Sequence, residues 1–321
     1  MEQLIKKRYR GRGGGDKYYI DCSRYAENSN SIEIQTLIKN TRTHNVAILK
    51  AIATDETIKK KNRHIVVKIS RTKDVKTKEI MAYREYRIGK ALENIPGFIK
   101  YICLFGCYDD TNGKFEPIEA GEKSVTITTK ICNATDHVEE NWNYVLVMPY
   151  IKEGSLDSYN WTKDNISLLK NLIIHTVLSL ATAFEKVCFI HGDLHLGNVL
   201  FKKTKLHEIK YELENGNKIV VPTMGYKVVI MDFEKAELDK KDTYHFWDDL
   251  NFFLRNIDGL KNNMNEAVDW DNSAIVTQFT KNMRKNRTHV NNVIELVQMI
   301  EYSQMEIVEI QPQLQYDPNV V

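Results

Sequence analysis

Two short segments concentrate the residues with chemistry to offer. The first is Phe189-Ile190-His191-Gly192-Asp193-Leu194-His195-Leu196-Gly197-Asn198-Val199-Leu200, apolar at both ends and polar at its centre. The second, Val228-Val229-Ile230-Met231-Asp232-Phe233-Glu234, reads as a buried strand that ends on a carboxylate. Far upstream, Lys68 stands alone in the apolar run His64 to Ser70. The carboxamide of Asn198 and the carboxylate of Asp232 offer hard oxygen donors of the kind Mg²⁺ takes. Phosphoryl transfer asks a protein for charge neutralisation and in-line positioning, with little covalent work. A lone Asp is ordinarily a solvated or capping residue. The ordered set of strand lysine, polar loop and carboxylate-ended strand is far harder to meet by chance.

That order, a strand lysine, then H-x-D-x-x-x-x-N, then a strand ending in Asp-Phe, resembles the protein-kinase superfamily. Within it, His191-Gly192-Asp193-Leu194-His195 with Gly197-Asn198-Val199-Leu200 is similar to the catalytic loops of two groups. One is the atypical haspin-like kinases, with the serine/threonine kinases of large DNA viruses nearby; the other is the aminoglycoside and choline kinases. Three features favour the haspin-like group. A hairpin pattern at 208–221 lies between the loop and the Asp232 strand. Asp249 follows Asp232 by only 17 positions with no Ala-Pro-Glu, so the long activation segment is missing. Tyr244-His245-Phe246-Trp247-Asp248-Asp249-Leu250 resembles the family's next helix, in which an aspartate braces the loop backbone; Asp249 is preferred to Asp248.

The resemblance spans about 31–260 and implies a set of roles. Asp193 accepts the substrate hydroxyl, Lys68 holds the α- and β-phosphates of ATP, and Asn198 and Asp232 hold Mg²⁺. A helix carboxylate holds Lys68; Glu85 is preferred and Glu79 is the alternative. Met148 is the gatekeeper, and the Pro149 carbonyl and Ile151 amide meet the adenine edge between the lobes. His195, at a position where ordinary kinases carry a phosphate-steadying lysine, either bonds the phosphate or braces the loop. Asp157 is a candidate for the ribose or a plain exposed helix-start residue. Gly192 replaces the arginine that pairs with a phosphorylated activation loop, which implies a site folded without phosphorylation. Glu234 replaces the glycine of Asp-Phe-Gly and reduces backbone freedom there. The segment 39–44, where a phosphate-covering loop belongs, has no glycine.

The elements that must position these residues follow from periodicity. Strands are predicted at 31–38, 45–53, 64–70, 98–108 and 143–150. A helix is predicted over 76–92, with Met81, Glu85, Ile88 and Leu92 on its apolar face and Pro96-Gly97 as its stop. The polar stretch 109–142 reads as an insertion. From 151 the pattern turns helical, with a long helix at 167–187. The hairpin around Asn215-Gly216 and a strand at 225–232 follow it. Helices at 242–256, 273–283 and 291–304 complete the pattern, and a loose tail closes the chain. The expected fold class is α+β, a bilobal protein-kinase-like fold. It has a basic, glycine-rich tail at 1–30, a β-rich N-lobe with one regulatory helix at 31–150, and an α-helical C-lobe at 151–321.

Composition sets the outer limits. The chain has 321 residues, 42% hydrophobic and 27% charged, which excludes disordered and collagenous classes. Lys+Arg 45 against Asp+Glu 43 gives a net charge of +2, against a nucleic-acid partner. No apolar run approaches the length of a membrane span, and Met1 to Lys7 lacks a signal-sequence core. Five cysteines in an odd number, with no zinc spacing, are expected to be buried reduced thiols. His191 and His195 lack partners for a zinc site. The reading is therefore a soluble, intracellular monomer (cytoplasm, nucleus or, if viral, virion) that uses ATP and Mg²⁺ on a protein substrate. The competing readings are a small-molecule kinase and a catalytically silent binding module.

Overall fold

A computed structural model describes residues 32–41, 46–54, 63–72, 75–108, 142–213, 216, 218–239, 242–263, 266–270 and 290–309. The expected tail at 1–30, most of the insertion at 109–142, the loop tip at 42–45 and the helix at 273–283 lie outside these residues. The fold is mixed α and β, with a β-rich N-terminal region. The chain divides into two compact units, one of the residues up to Lys90 with Ile99–Tyr150, the other of Ala91–Phe98 with the residues from Ile151 onward.

The first unit is a five-stranded antiparallel sheet of β1 (Ile32–Thr41), β2 (Val46–Ala53), β3 (His64–Thr72), β4 (Cys103–Tyr108) and β5 (Trp142–Pro149). Its strand order is β1-β2-β3-β5-β4. Side chains alternate between faces along a strand. Ile65, Val67 and Ile69 of β3 therefore join Leu49, Ala51, Val145 and Val147 in one buried core. Val66 and Lys68 take the opposite face, where Lys68 lies between Ile48 and Leu146 of the neighbouring strands. Helix α1 (Val75–Ala91) supplies Glu85, Tyr86 and Ile88 as buried residues. Met81, expected on the same face, is instead exposed. The strand expected from 98 begins at Cys103, because Phe98 turns away to bridge Ile230 in the second unit.

The second unit is built on α2 (Ile166–Val187), whose residues 171–183 are all buried. This helix is long and apolar enough to cross a membrane, and it lies mostly buried inside the protein. That corrects the expectation that no run reaches such a length. An unbroken apolar stretch serves equally as a helix surrounded by core. Its hydroxyls turn back on its own backbone: Thr176, Ser179 and Thr182 each donate to the carbonyl four residues earlier. After it come β6 (Val199–Lys203) and β9 (Tyr226–Ile230), paired antiparallel, and between them the hairpin β7 (Glu208–Glu212) and β8 (Lys218–Pro222). Helix α3 (Thr243–Arg255) follows.

The C-terminal region adds unexpected strands to the helices expected there. Helix α4 (Val290–Tyr302) forms, but β10 (Lys261–Asn263), β11 (Glu266–Trp270) and β12 (Met305–Glu309) make a three-stranded sheet. These strands are only three to five residues long, so they carry too little of the alternation that marks a strand in sequence. The expectation of reduced thiols is also corrected. Cys103 is disulfide-bonded, while Cys188 is free. Disulfide pairing depends on the approach of distant segments, which spacing along a chain does not show.

Candidate active site

In the first unit the candidate site residues meet on α1 and β3. The Lys68 Nζ lies 3.0 Å from Glu85 Oε2, with both side chains buried. The other oxygen, Glu85 Oε1, accepts the Tyr101 hydroxyl at 2.9 Å. Tyr101 lies against Gly89, where a Cβ would fall 2.2 Å from its ring. Only a glycine on α1 admits the ring that reaches Glu85. Of the two carboxylates weighed for Lys68, Glu85 makes the contact; the Glu79 side chain lies outside those described. Tyr101 was not singled out from sequence, since nothing in a lone tyrosine before a strand announces such a contact. Met148 and Pro149 end β5; Met148 is buried and Pro149 half-buried. Ile151, buried, opens the second unit.

In the second unit, antiparallel pairing does the positioning. Val199 opposes Ile230 at one end of the β6–β9 ladder, so Asn198 just before β6 meets Met231 and Asp232 just after β9. The Met231 amide donates to the Asn198 carbonyl at 3.0 Å. Asn198 is buried, and its Nδ2 donates to the Asp193 carbonyl at 2.9 Å. This leaves its Oδ1 as the atom available to a cation. Asp232 adopts the left-handed conformation at φ 67°, which Asp tolerates better than most residues. Among the described residues no three His, Cys, Asp or Glu cluster as a metal cage. A carboxylate and a carboxamide oxygen instead fit a Mg²⁺ that draws its other ligands from phosphates and water.

Around this core the loop is held on all sides. His191 is fully buried, and its Nε2 donates to the Met231 carbonyl at 3.0 Å. Burial pushes its pKa down, so the ring is neutral with its proton on Nε2; Nδ1 is buried without a hydrogen-bond partner. The ring sits against Phe233 and Phe189. Asp249 accepts the amides of His191 at 2.6 Å and Gly192 at 3.0 Å. Asp249 is thus the brace rather than Asp248. Burial pushes its pKa up to about 6, against the lowering effect of those two amides. His195 turns inward: its Nδ1 accepts the Gly197 amide at 3.1 Å and caps the turn Leu196–Asn198. Asp193 pairs with Lys235, Nζ to Oδ2 at 3.0 Å. Lys235 was not singled out from sequence, because an exposed lysine in a charged stretch carries no signal.

Comparison with known proteins bears on this arrangement. No protein-family model matches the chain. The chain is 40% identical to the serine/threonine-protein kinase haspin of Bos taurus over 97 residues, 30% of this chain and 12% of that protein. Over this stretch the chain resembles haspin. Haspin of Mus musculus is 38% identical over 113 residues, 35% of this chain and 15% of that protein. A haspin homolog of Arabidopsis thaliana is 26% identical over 113 residues. The chain thus spans well under a fifth of the length of the two mammalian relatives. Two traits singled out in the haspin-like pattern have a physical form here. The hairpin between loop and Asp232 strand is the pair β7–β8, and its Tyr211 and Pro222 tie back to His175 of α2. The short connection after Asp232 ends on α3, which carries Asp249 to the loop.

Proposed function

We propose that this chain is a serine/threonine protein kinase that transfers the γ-phosphoryl group of Mg-ATP to a protein hydroxyl. One observation carries the reading. Asn198 binds the Asp193 backbone through its side chain and Met231 through its own backbone, so the hydroxyl acceptor and the oxygen donors form one hydrogen-bonded unit. The reading takes the two units as the lobes of a bilobal kinase, 31–150 and 151–321, behind a tail at 1–30.

In this mechanism Asp193 accepts the hydrogen bond of the substrate hydroxyl and aims its oxygen at the γ-phosphorus. As that oxygen bonds to phosphorus, the bridging bond to the β-phosphate breaks and ADP leaves with the electron pair. The hydroxyl proton passes to Asp193. Lys68, fixed by Glu85, offsets the charge of the α- and β-phosphates. Met148, Pro149 and Ile151 are assigned to the adenine. Asn198 and Asp232 would hold Mg²⁺, which supplies charge neutralisation when bound. His195 is assigned to bracing the loop, because its Nδ1 is committed to Gly197.

The test is γ-labelled ATP with casein, histone and candidate small-molecule acceptors. The expected result is label on protein that is abolished by Asp193→Ala, while circular dichroism shows the fold intact. Asp232→Asn should remove the Mg²⁺ dependence of nucleotide binding. Label confined to aminoglycosides, choline or sugars would replace the protein substrate with a small molecule. No transfer at all would leave a silent binding module.

A further inference from the structure

Lys235 lies three residues beyond Asp232, and its ammonium reaches the carboxylate of Asp193. The two side chains are 63% and 38% exposed. Ion pairs in such exposed settings contribute at most about 1 kcal/mol to stability, so the fold does not depend on this one. The placement of Lys235 is nonetheless imposed by backbone. Ile190 and Glu237 exchange two hydrogen bonds, at 3.0 and 2.9 Å, and the Ala236 amide bonds the Phe233 carbonyl at 3.2 Å. These fasten the segment after Asp232 along the loop that carries Asp193. Gly192 completes the fit. Its φ is +73°, and a Cβ there would fall 2.8 Å from the Lys235 carbonyl oxygen. The loop therefore gives up a side chain at 192 so that the backbone of Lys235 can lie against it. Meanwhile the Nδ1 of His195 is occupied by the Gly197 amide.

We propose that Lys235 is a catalytic cation, supplying from the segment after Asp232 the positive charge that the loop does not carry. The proposal rests on the kinase reading above. In the free protein Lys235 holds Oδ2 of Asp193 and leaves Oδ1 for the substrate hydroxyl. The hydroxyl oxygen then bonds to the γ-phosphorus, the β–γ bridging bond breaks toward ADP, and the proton moves to Asp193. Because the proton moves within that same step, the charge that holds Lys235 falls as the phosphoryl group is in transit, and the ammonium shifts to the oxygens of the transferring group. Asp193 releases its proton to solvent after product leaves, and the ion pair forms again.

The experiment compares Lys235→Ala, Lys235→Arg and Asp193→Ala in the full chain. It measures steady-state turnover with Mg-ATP, and thermal shifts with Mg-ADP alone and with Mg-ADP plus aluminium fluoride. Lys235→Ala should lower kcat by about 100-fold, as loss of one charge-stabilising group does, with KM for ATP within about threefold. Lys235→Arg should recover a substantial part of that kcat. Lys235→Ala should keep the Mg-ADP shift and lose the added shift from aluminium fluoride, which mimics the transferring group. A kcat for Lys235→Ala within about threefold of wild type, or above it, beside an inactive Asp193→Ala would overturn this assignment alone. Wild-type turnover by Asp193→Ala, or none by the wild-type chain, would overturn the kinase reading and this proposal with it.

Discussion

Asp249 is a carboxylate asked to do two opposed things. It accepts two backbone amides, which favours its charged form, and it sits where burial penalises that form. Burial wins, and its pKa rises from 3.8 to about 6. Between those values the folded protein binds the proton more tightly than the unfolded chain does. The contribution of Asp249 to stability is therefore greatest below pH 3.8 and falls as pH rises toward about 6, then levels off. Asp249→Asn removes this titration while keeping one acceptor oxygen. Urea unfolding from pH 4 to pH 7 should show the stability of the Asn variant changing less steeply across pH 4–6 than that of the wild type. In the wild type, the His191 and Gly192 amide resonances should titrate with a midpoint near 6. A midpoint near 4 would contradict the burial argument.

At the scale of elements, the hairpin β7–β8 is tied to α2 by hydrogen bonds of Asn171 and His175. The His175 Nε2 must donate to the Pro222 carbonyl, so its Nδ1 accepts the Tyr211 hydroxyl at 2.7 Å. Burial keeps His175 neutral and raises the Tyr211 pKa, both in line with this arrangement. Tyr211→Phe strands a buried acceptor and should cost about 1–3 kcal/mol in urea unfolding, with kcat within about twofold of wild type. What sequence could reveal of such elements depends on how local their signal is. The β3 run shows because apolar residues surround one lysine, and α2 shows because its apolar run is long. The hairpin shows through Asn215-Gly216. Contacts that join separate elements leave no comparable mark: Tyr101 on Glu85, Lys235 on Asp193 and Glu237 on Ile190 arise only when segments distant in sequence are brought together. Met81 illustrates the converse, a residue with helical spacing whose position on the helix rim leaves it exposed. The strands β10 to β12 escaped because runs of three to five residues do not establish a period.

For the whole molecule, the kinase reading predicts a site that needs no modification to assemble. Gly192 offers no side chain to receive a phosphate, and its neighbourhood leaves no room for one. The loop is held by Asp249, by the Met231 carbonyl and by the Ile190–Glu237 bridge, none of which involves a modified residue. Phosphatase-treated and fully phosphorylated protein should therefore turn over within about twofold of each other. Activation of tenfold or more by phosphorylation would contradict the reading of a site assembled by folding alone.

The burial of Phe233 has a practical consequence for inhibitor chemistry. Its ring is wholly enclosed, with Phe98, Phe189 and His191 as aromatic neighbours, and enclosing a ring of this size is worth about 2–3 kcal/mol. A compound that needs this ring displaced must supply that energy and also disrupt the paired hydrogen bonds between Ile190 and Glu237. Compounds that accept the backbone as it stands carry neither penalty, so a screen against this protein should favour them, and selectivity is better sought in contacts with Lys235 than in the space behind Phe233.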